Sequence, residues 1–183
     1  MFFETKTVKL KNGDTAVFRS PCAQDAPEML DFLKKSTEET HFVMRYPEEC
    51  NETVEQEEAF LLSLNDSSSS LMIVCTINGK IAGNCQLKFM NRRIKTRHRC
   101  NVAIGILKQY WGLGIGTLMF QEMIAFAKAQ GARQMELEYI EGNERGHALY
   151  TKMGFSVFGE RPNAYQLKDG TLLKEILMVS NLS

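Results

Sequence analysis

A chain of 183 residues, 44% of them apolar, is long enough to bury one sizeable core and short for two. Its 22 Lys and Arg balance 22 Asp and Glu, so no net field is available to hold a polyanion, and neither nucleic acid nor an acidic membrane surface is an expected partner. No stretch approaches the roughly 20 apolar residues of a membrane span, and MFFETKTVKLKNG has no apolar run behind a basic start; a single cytoplasmic domain over residues 1–183 is the expectation.

TKTVKL and TAVFRS flank the turn signal KNGD and read as a hairpin or bent strand pair. From Asp25 to about Ser36, Met29, Leu30, Phe32 and Leu33 cluster on one helical face. Thr53 with Gln56 makes a capping-box pattern that opens a second helix through Phe60, Leu61 and Leu64, and NDSSSS at 65–70 ends it as a solvated loop. LMIVCTI and KIAGNCQLKF are joined by Asn78 and Gly79, a tight hairpin signal, and RHRCNVAIGIL adds a third strand to an antiparallel meander. Cys75, Cys85 and Cys100 lie in these strands, where a free thiol packs as a small apolar group. The five cysteines, Cys22 and Cys50 included, show no ligand spacing, and no metal is expected.

The period then changes. Ile115, Leu118, Met119, Met123, Phe126 and Ala127 follow helical spacing, with Gly131 placed to end the helix. RQMELEYI is a strand, NERGHALYTKM a short helix beginning at Asn143, and FSVFGERPNAYQL and TLLKEILMVS a final strand pair around KDG. The crossover between residues 98 and 140 predicts two parallel, adjacent strands.

KQYWGLGIGTLM carries Gly112, Gly114 and Gly116 between a strand end and a helix start. Backbone N–H groups without intrahelical partners and the positive end of the helix dipole make this an anion site, and glycines let phosphate oxygens approach the backbone. A strand-to-helix turn that binds nothing is the plainer reading. A Walker loop is excluded, because Thr117 follows Gly116 with no lysine. A dinucleotide fingerprint fails at its third glycine in both registers, Thr117 in one and Met119 in the other, although Glu136 or Glu138 stands at a suitable distance for its acidic residue.

YWGLGIGTLM, LEYIEGNERGHALYTKMGF and FGERPNAYQLKDG, taken together, resemble the GNAT superfamily of acetyl-CoA-dependent N-acetyltransferases, in particular the branch that includes ribosomal-protein alanine acetyltransferases. The resemblance is strongest from about 98 to 178. It implies an α/β (α+β) fold with a mixed, mostly antiparallel twisted sheet, a splayed parallel strand pair and flanking helices. It implies acetyl-CoA as co-substrate, its pyrophosphate held by the backbone of Gly112, Leu113, Gly114, Ile115, Gly116 and Thr117, and its pantetheine arm paired with Ile104, Gly105 and Ile106. Gln109 matches a family Arg or Gln if the loop begins at Gly112; the other register puts Trp111 there. Asn143 matches the asparagine that touches the cofactor and is also a helix N-cap, and Gly146 stands where relatives usually have Ala.

Acetyl transfer requires a neutral amine, hence a base. Glu138 matches the place where some relatives put it; alternation sets Glu136 on the same face, and water is the remaining option. Relatives often carry Glu where Asn101 stands, and Asn is no base. Backbone N–H groups near Ile106 would serve the oxyanion, and Tyr150 holds the position of the acid that serves the departing sulfur as well as touching the cofactor.

The basic run NRRIKTRHR at 91–99 reads as solvated, with cofactor phosphate, an acidic substrate or another subunit as alternatives. HFVMRYP at 41–47 is the expected acceptor-facing loop, with His41, Arg45 and Tyr46 as contacts, and Glu48 to Glu58 line the start of the second helix. The resulting expectation is acetyl transfer to a primary amine of a small molecule or a peptide N-terminus, with the final strand pair as a possible homodimer surface. The rival is a non-catalytic acyl-CoA sensor or interaction module.

Overall fold

A computed structural model of the chain describes residues 1–182. It is a mixed α/β fold in which eight strands follow the order β1-β2-β3-β4-β5-β6-β8-β7, mostly antiparallel, with four α-helices among the described residues. By contacts the chain divides into two compact units: Met1–Lys88 with Ala103–Met119, and Phe89–Val102 with the residues from Phe120 onward.

In the first unit, β1 (Lys6–Lys9) and β2 (Thr15–Arg19) form the expected antiparallel hairpin. α1 (Ala26–Glu39) runs three residues past its expected end. The hydroxyls of Ser36 and Thr37 donate back to the Leu33 and Lys34 carbonyls at 2.8 and 2.7 Å, so these polar residues stay in the helix. α2 (Val54–Asp66) is opened by the predicted box: Gln56 N donates to Thr53 Oγ1 at 3.3 Å and Thr53 N to Gln56 Oε1 at 2.8 Å. The helix continues through Asn65 and Asp66, shortening the expected loop.

β3 (Ser70–Ile77) is buried along nearly its whole length, and β4 (Lys80–Phe89) pairs with it through a turn in which Asn78 and Gly79 both take positive φ, 50° and 78°. Ala26, Met29 and Phe32 of α1, Leu61 and Leu64 of α2, and Met72, Val74 and Ile81 form the core with Leu107. Burying side chains of this size contributes about 1.5–3 kcal/mol each relative to exposure.

β5 (Arg99–Ile106) leads to α3 (Ile115–Ala129), and Gly131, at φ 82°, ends that helix as predicted. In the second unit the crossover sets β5 parallel to β6 (Gln134–Ile140), with Arg99 opposite Gln134, Cys100 opposite Met135 and Asn101 opposite Glu136. α4 (Glu144–Lys152) follows, then β7 (Ser156–Gln166) and β8 (Leu172–Asn181). β8 enters between β6 and β7, antiparallel to both. Phe120, Met123, Met135, Leu137, Phe155 and Met178 fill the core here, while Val157, Phe158 and Leu172 are exposed. Cys75, Cys85 and Cys100 are buried and unpaired, and burial raises their thiols well above the ordinary value, Cys75 and Cys100 to about 12, as packing groups would show.

Candidate active site

The glycine loop belongs to the first unit. A short 3-10 turn over Lys108–Tyr110 precedes it, and its backbone passes through the left-handed region at Gly112 (φ 81°) and Gly114 (φ 92°). Gly116 is already in α3, so 112 and 114 are the positions whose backbone conformation needs glycine. Leu118 N to Gly114 O is the first helical bond, at 3.1 Å; the N–H groups of Ile115, Gly116 and Thr117 lie ahead of it. A Cβ built on Gly112 meets nothing within 4 Å, so that backbone face is open to a ligand.

The loop is seated on the first hairpin. Lys11 N donates to the Leu113 carbonyl at 3.1 Å, and the Lys11 stem lies 3.5–3.8 Å from where a Gly114 Cβ would be. A cation thereby stands beside the helix N-terminus, a meeting that no local pattern signals, since Lys11 and Gly114 belong to distant segments.

β5 approaches β4 closely: a Cβ on Gly83 would lie 2.7 Å from the Gly105 carbonyl oxygen. Phe32 of α1 packs on Gly105 from its Cα side, 3.5 Å from a built Cβ. The Ile106 carbonyl accepts from Trp111 Nε1 at 2.7 Å, so that oxygen is already engaged; Ile104 and Gly105 lie just before it in the strand.

Of the expected acceptor contacts, His41 is exposed, its ring tilted at 51° to that of Phe42 with 4.3 Å between centroids. Arg45 is engaged in an ion pair with Glu52, and Tyr46 opens a 3-10 turn, its N–H donating to Glu49 Oε2 at 2.7 Å.

In the second unit, Glu138 is exposed on β6 and accepts from Asn101 Nδ2 at 2.8 Å. The Asn that replaces the usual Glu thus orients the carboxylate two strand positions from Glu136. Glu136 itself is buried and clamped: Arg99 Nε and Nη2 donate to its two oxygens at 2.5 and 2.6 Å, and Gln134 Nε2 donates at 2.7 Å. The Arg99 hydrogen bonds hold its carboxyl below the usual range, which makes Glu136 a structural carboxylate and a poor base. The same pair explains one cation of the 91–99 run. Arg97 and His98 of that run line a cavity with Asn91, Ile94, Gln130, Gly131 and Arg133.

Tyr150, on α4, is 9% exposed and packs edge-on against Phe120 (5.7 Å) and at a tilt against Tyr139 (5.6 Å). Burial, with the Tyr139 ring a lesser cause, pushes its phenol up to about 12, so it stays protonated at neutral pH. Asn143 caps α4, its Oδ1 accepting from Gly146 N at 2.9 Å. Residues that sequence reasoning missed gather nearby: the Tyr139 hydroxyl lies 2.7 Å from His147 Nδ1, and buried Glu175 accepts from the Tyr165 hydroxyl at 2.6 Å and pairs with Arg161 Nη1 at 2.6 Å. β7 bulges between Arg161 and Tyr165, where Asn163 takes φ 52°.

Residues 29–155 match the family model described as acetyltransferase (GNAT) family. Among solved structures, an acetyltransferase of the GNAT family from Streptococcus pneumoniae is 28% identical, with a TM-score of 0.84 over 92% of this chain and 99% of that one. The ribosomal-protein-alanine N-acetyltransferase of Brucella melitensis is 20% identical, with a TM-score of 0.77 over 90% and 98%. A GNAT superfamily phosphinothricin acetyltransferase from Sinorhizobium meliloti, solved in complex with acetyl-CoA, is 18% identical, with a TM-score of 0.78 over 92% and 89%. With its glycine loop, parallel crossover and strand order in place, and more than half its length matched, this chain belongs to the GNAT acetyltransferase family.

Proposed function

We propose that the chain is one acetyl-CoA-dependent N-acetyltransferase domain, acting on a primary amine of a small molecule or a peptide N-terminus by direct attack in a ternary complex. The observation that carries this reading is the loop from Gly112 to Thr117, with two left-handed glycines, leading helix N–H groups and the Lys11 cation beside them. That donor set suits a pyrophosphate, and the open face of Gly112 leaves room for one.

Acetyl-CoA, when bound, supplies an acetyl group already activated as a thioester. The residues of this chain do the rest. The backbone of Ile104 and Gly105 offers strand-type hydrogen bonds to the pantetheine amides, and the Ile106 N–H is the donor for the carbonyl oxygen as charge develops there. Glu138, held by Asn101, takes the ammonium proton directly or through water. Tyr150 serves the sulfur. A phenol raised to about 12 is a weaker acid than a thiol near ~8.5, so it lends a hydrogen bond as the carbon–sulfur bond lengthens and keeps its own proton.

The test is a calorimetric titration with acetyl-CoA, with NAD and ATP as controls, followed by thiol release over a panel of primary amines. Micromolar acetyl-CoA binding and amine-dependent thiol release are expected. Binding without release for any amine would favour the sensor, and absence of acetyl-CoA binding would overturn both readings.

A further inference from the structure

The segment leading into α2 holds two buried carboxylate oxygens that the steps proposed above leave unassigned. Glu57, on the first turns of α2, is 4% exposed, yet its Oε1 is fully buried and has no hydrogen-bond partner. Glu52 Oε2 is likewise buried and without a partner, while Glu52 Oε1 accepts from Arg45 Nη1. Glu57 feels both neighbours, repelled by Glu52 and attracted by Arg45, and its burial raises its carboxyl above the usual range. Arg45 and Glu52 are each about a third exposed, 34% for both side chains, whereas Glu57 is buried.

One guanidinium therefore faces two carboxylates, and two carboxylate oxygens lack donors. Leaving a buried acceptor unsatisfied is costly, more so for a charged group, and native proteins leave few such atoms without a reason. The arrangement lacks donors for two oxygens and, with Glu57 ionised, is short by one positive charge. Both deficits are met by one chemical class.

We propose that Glu52 and Glu57 form a binding site for an organic cation bearing N–H donors, an ammonium or a guanidinium, which completes the pair with Arg45. The cation would bridge the unpartnered oxygens Glu52 Oε2 and Glu57 Oε1. It can arrive as the charged end of an acceptor amine or as a separate small cation, and the site's chemistry is the same for both. This inference goes beyond acetyl transfer and does not rest on it.

The test uses the full chain in potassium buffer, without acetyl-CoA, and equilibrium dialysis against labelled agmatine, which carries a guanidinium and a primary ammonium. Saturable binding near one per chain is expected, weakened by about tenfold or more in Glu57→Gln and in Glu52→Gln, and unchanged in Glu55→Gln on the exposed face of the same helix. Arg45→Gln, which removes the internal cation, should tighten agmatine binding; this variant decides the matter even where Glu57→Gln fails to fold. Tetramethylammonium, with charge and no donors, should bind far less.

Absence of saturable binding up to millimolar agmatine, or equal binding by Glu57→Gln, overturns the proposal, as does equal affinity for tetramethylammonium. So does weaker binding in Arg45→Gln. A second arm adds acetyl-CoA and reads the ligand by mass spectrometry: acetylated agmatine identifies the site as an acceptor subsite, and unmodified agmatine held at the same site identifies a separate ligand. Because the first arm contains no acetyl-CoA, failure of acetyl transfer and failure of this site are separate results.

Discussion

Asn143 and Gly146 are fitted to each other: a Cβ at 146 would stand 2.8–2.9 Å from the Asn143 side-chain amide, and the absence of that carbon is what lets the amide fold over and cap α4. The glycine that departs from the family's usual Ala is thus the counterpart of the cap. Gly146→Ala gains about 1 kcal/mol of helix propensity and loses a cap bond of about 0.5–2 kcal/mol. Chemical denaturation should show a net change near zero, while the Asn143 amide resonances shift; a clear stabilisation with the amide unmoved would contradict the fit.

Tyr150→Phe should fold with nearly unchanged stability, since the ring stays against Phe120 and Tyr139 and only a hydroxyl is removed. Turnover should drop by about a hundredfold, with the KM for acetyl-CoA little altered. The phenol sits at about 12, so the wild-type rate should show no alkaline loss from this group below that range. An alkaline limb near pH ~9 that vanishes in Tyr150→Phe would show that the phenol titrates far lower.

Glu136 gives a stability prediction. Its carboxyl is depressed by Arg99, so the pair's contribution is fully present above the unfolded Glu value of roughly 4.3 and disappears as pH falls through the lower folded value. Arg99→Met should cost about 1–3 kcal/mol near neutrality, discounted for the one-third exposure of Arg99. The gap from the wild type should narrow under strong acid. Urea titrations at pH ~7 and pH ~3 measure it, and a gap that widened in acid would reverse the sign.

Lys11→Met keeps the stem over Gly114 and removes the charge. Acetyl-CoA should bind about tenfold more weakly, ~1.4 kcal/mol, with a shallower salt dependence. Unchanged affinity and salt dependence would remove Lys11 from the phosphate cradle.

Gly83→Ala should destabilise by about 1–3 kcal/mol, because the new methyl meets the Gly105 carbonyl, a backbone atom that cannot rotate away. Thermal unfolding checks it; an unchanged melting temperature would show that β4 and β5 can move apart freely.

Local chemistry was readable because it is local. Asn78-Gly79 set its own turn, Thr53 and Gln56 capped α2 reciprocally, Gly131 ended α3, and Asn143 began α4, each within a few residues. The glycine loop was legible for the same reason. What escaped were meetings between distant segments. Lys11 reaches Gly114 across the fold of the first unit, Arg99 clamps Glu136 only because β5 and β6 are in register, and Glu57 reads as one more acid at the start of the second helix until its burial is seen. Alternation set Glu136 on the same face as Glu138 as its possible substitute; their partners, a guanidinium for one and an amide for the other, separate them.

The placement of β8 carries a consequence for synthesis. Residues 172–181 lie between two strands that leave the ribosome before them, so β6 and β7 wait, each with an unpaired edge, until the last strand arrives. The second unit therefore gains its cooperative stability only after Asn181 is made. Nascent chains cut short of β8 should be far more prone to proteolysis and aggregation than their small loss of length suggests.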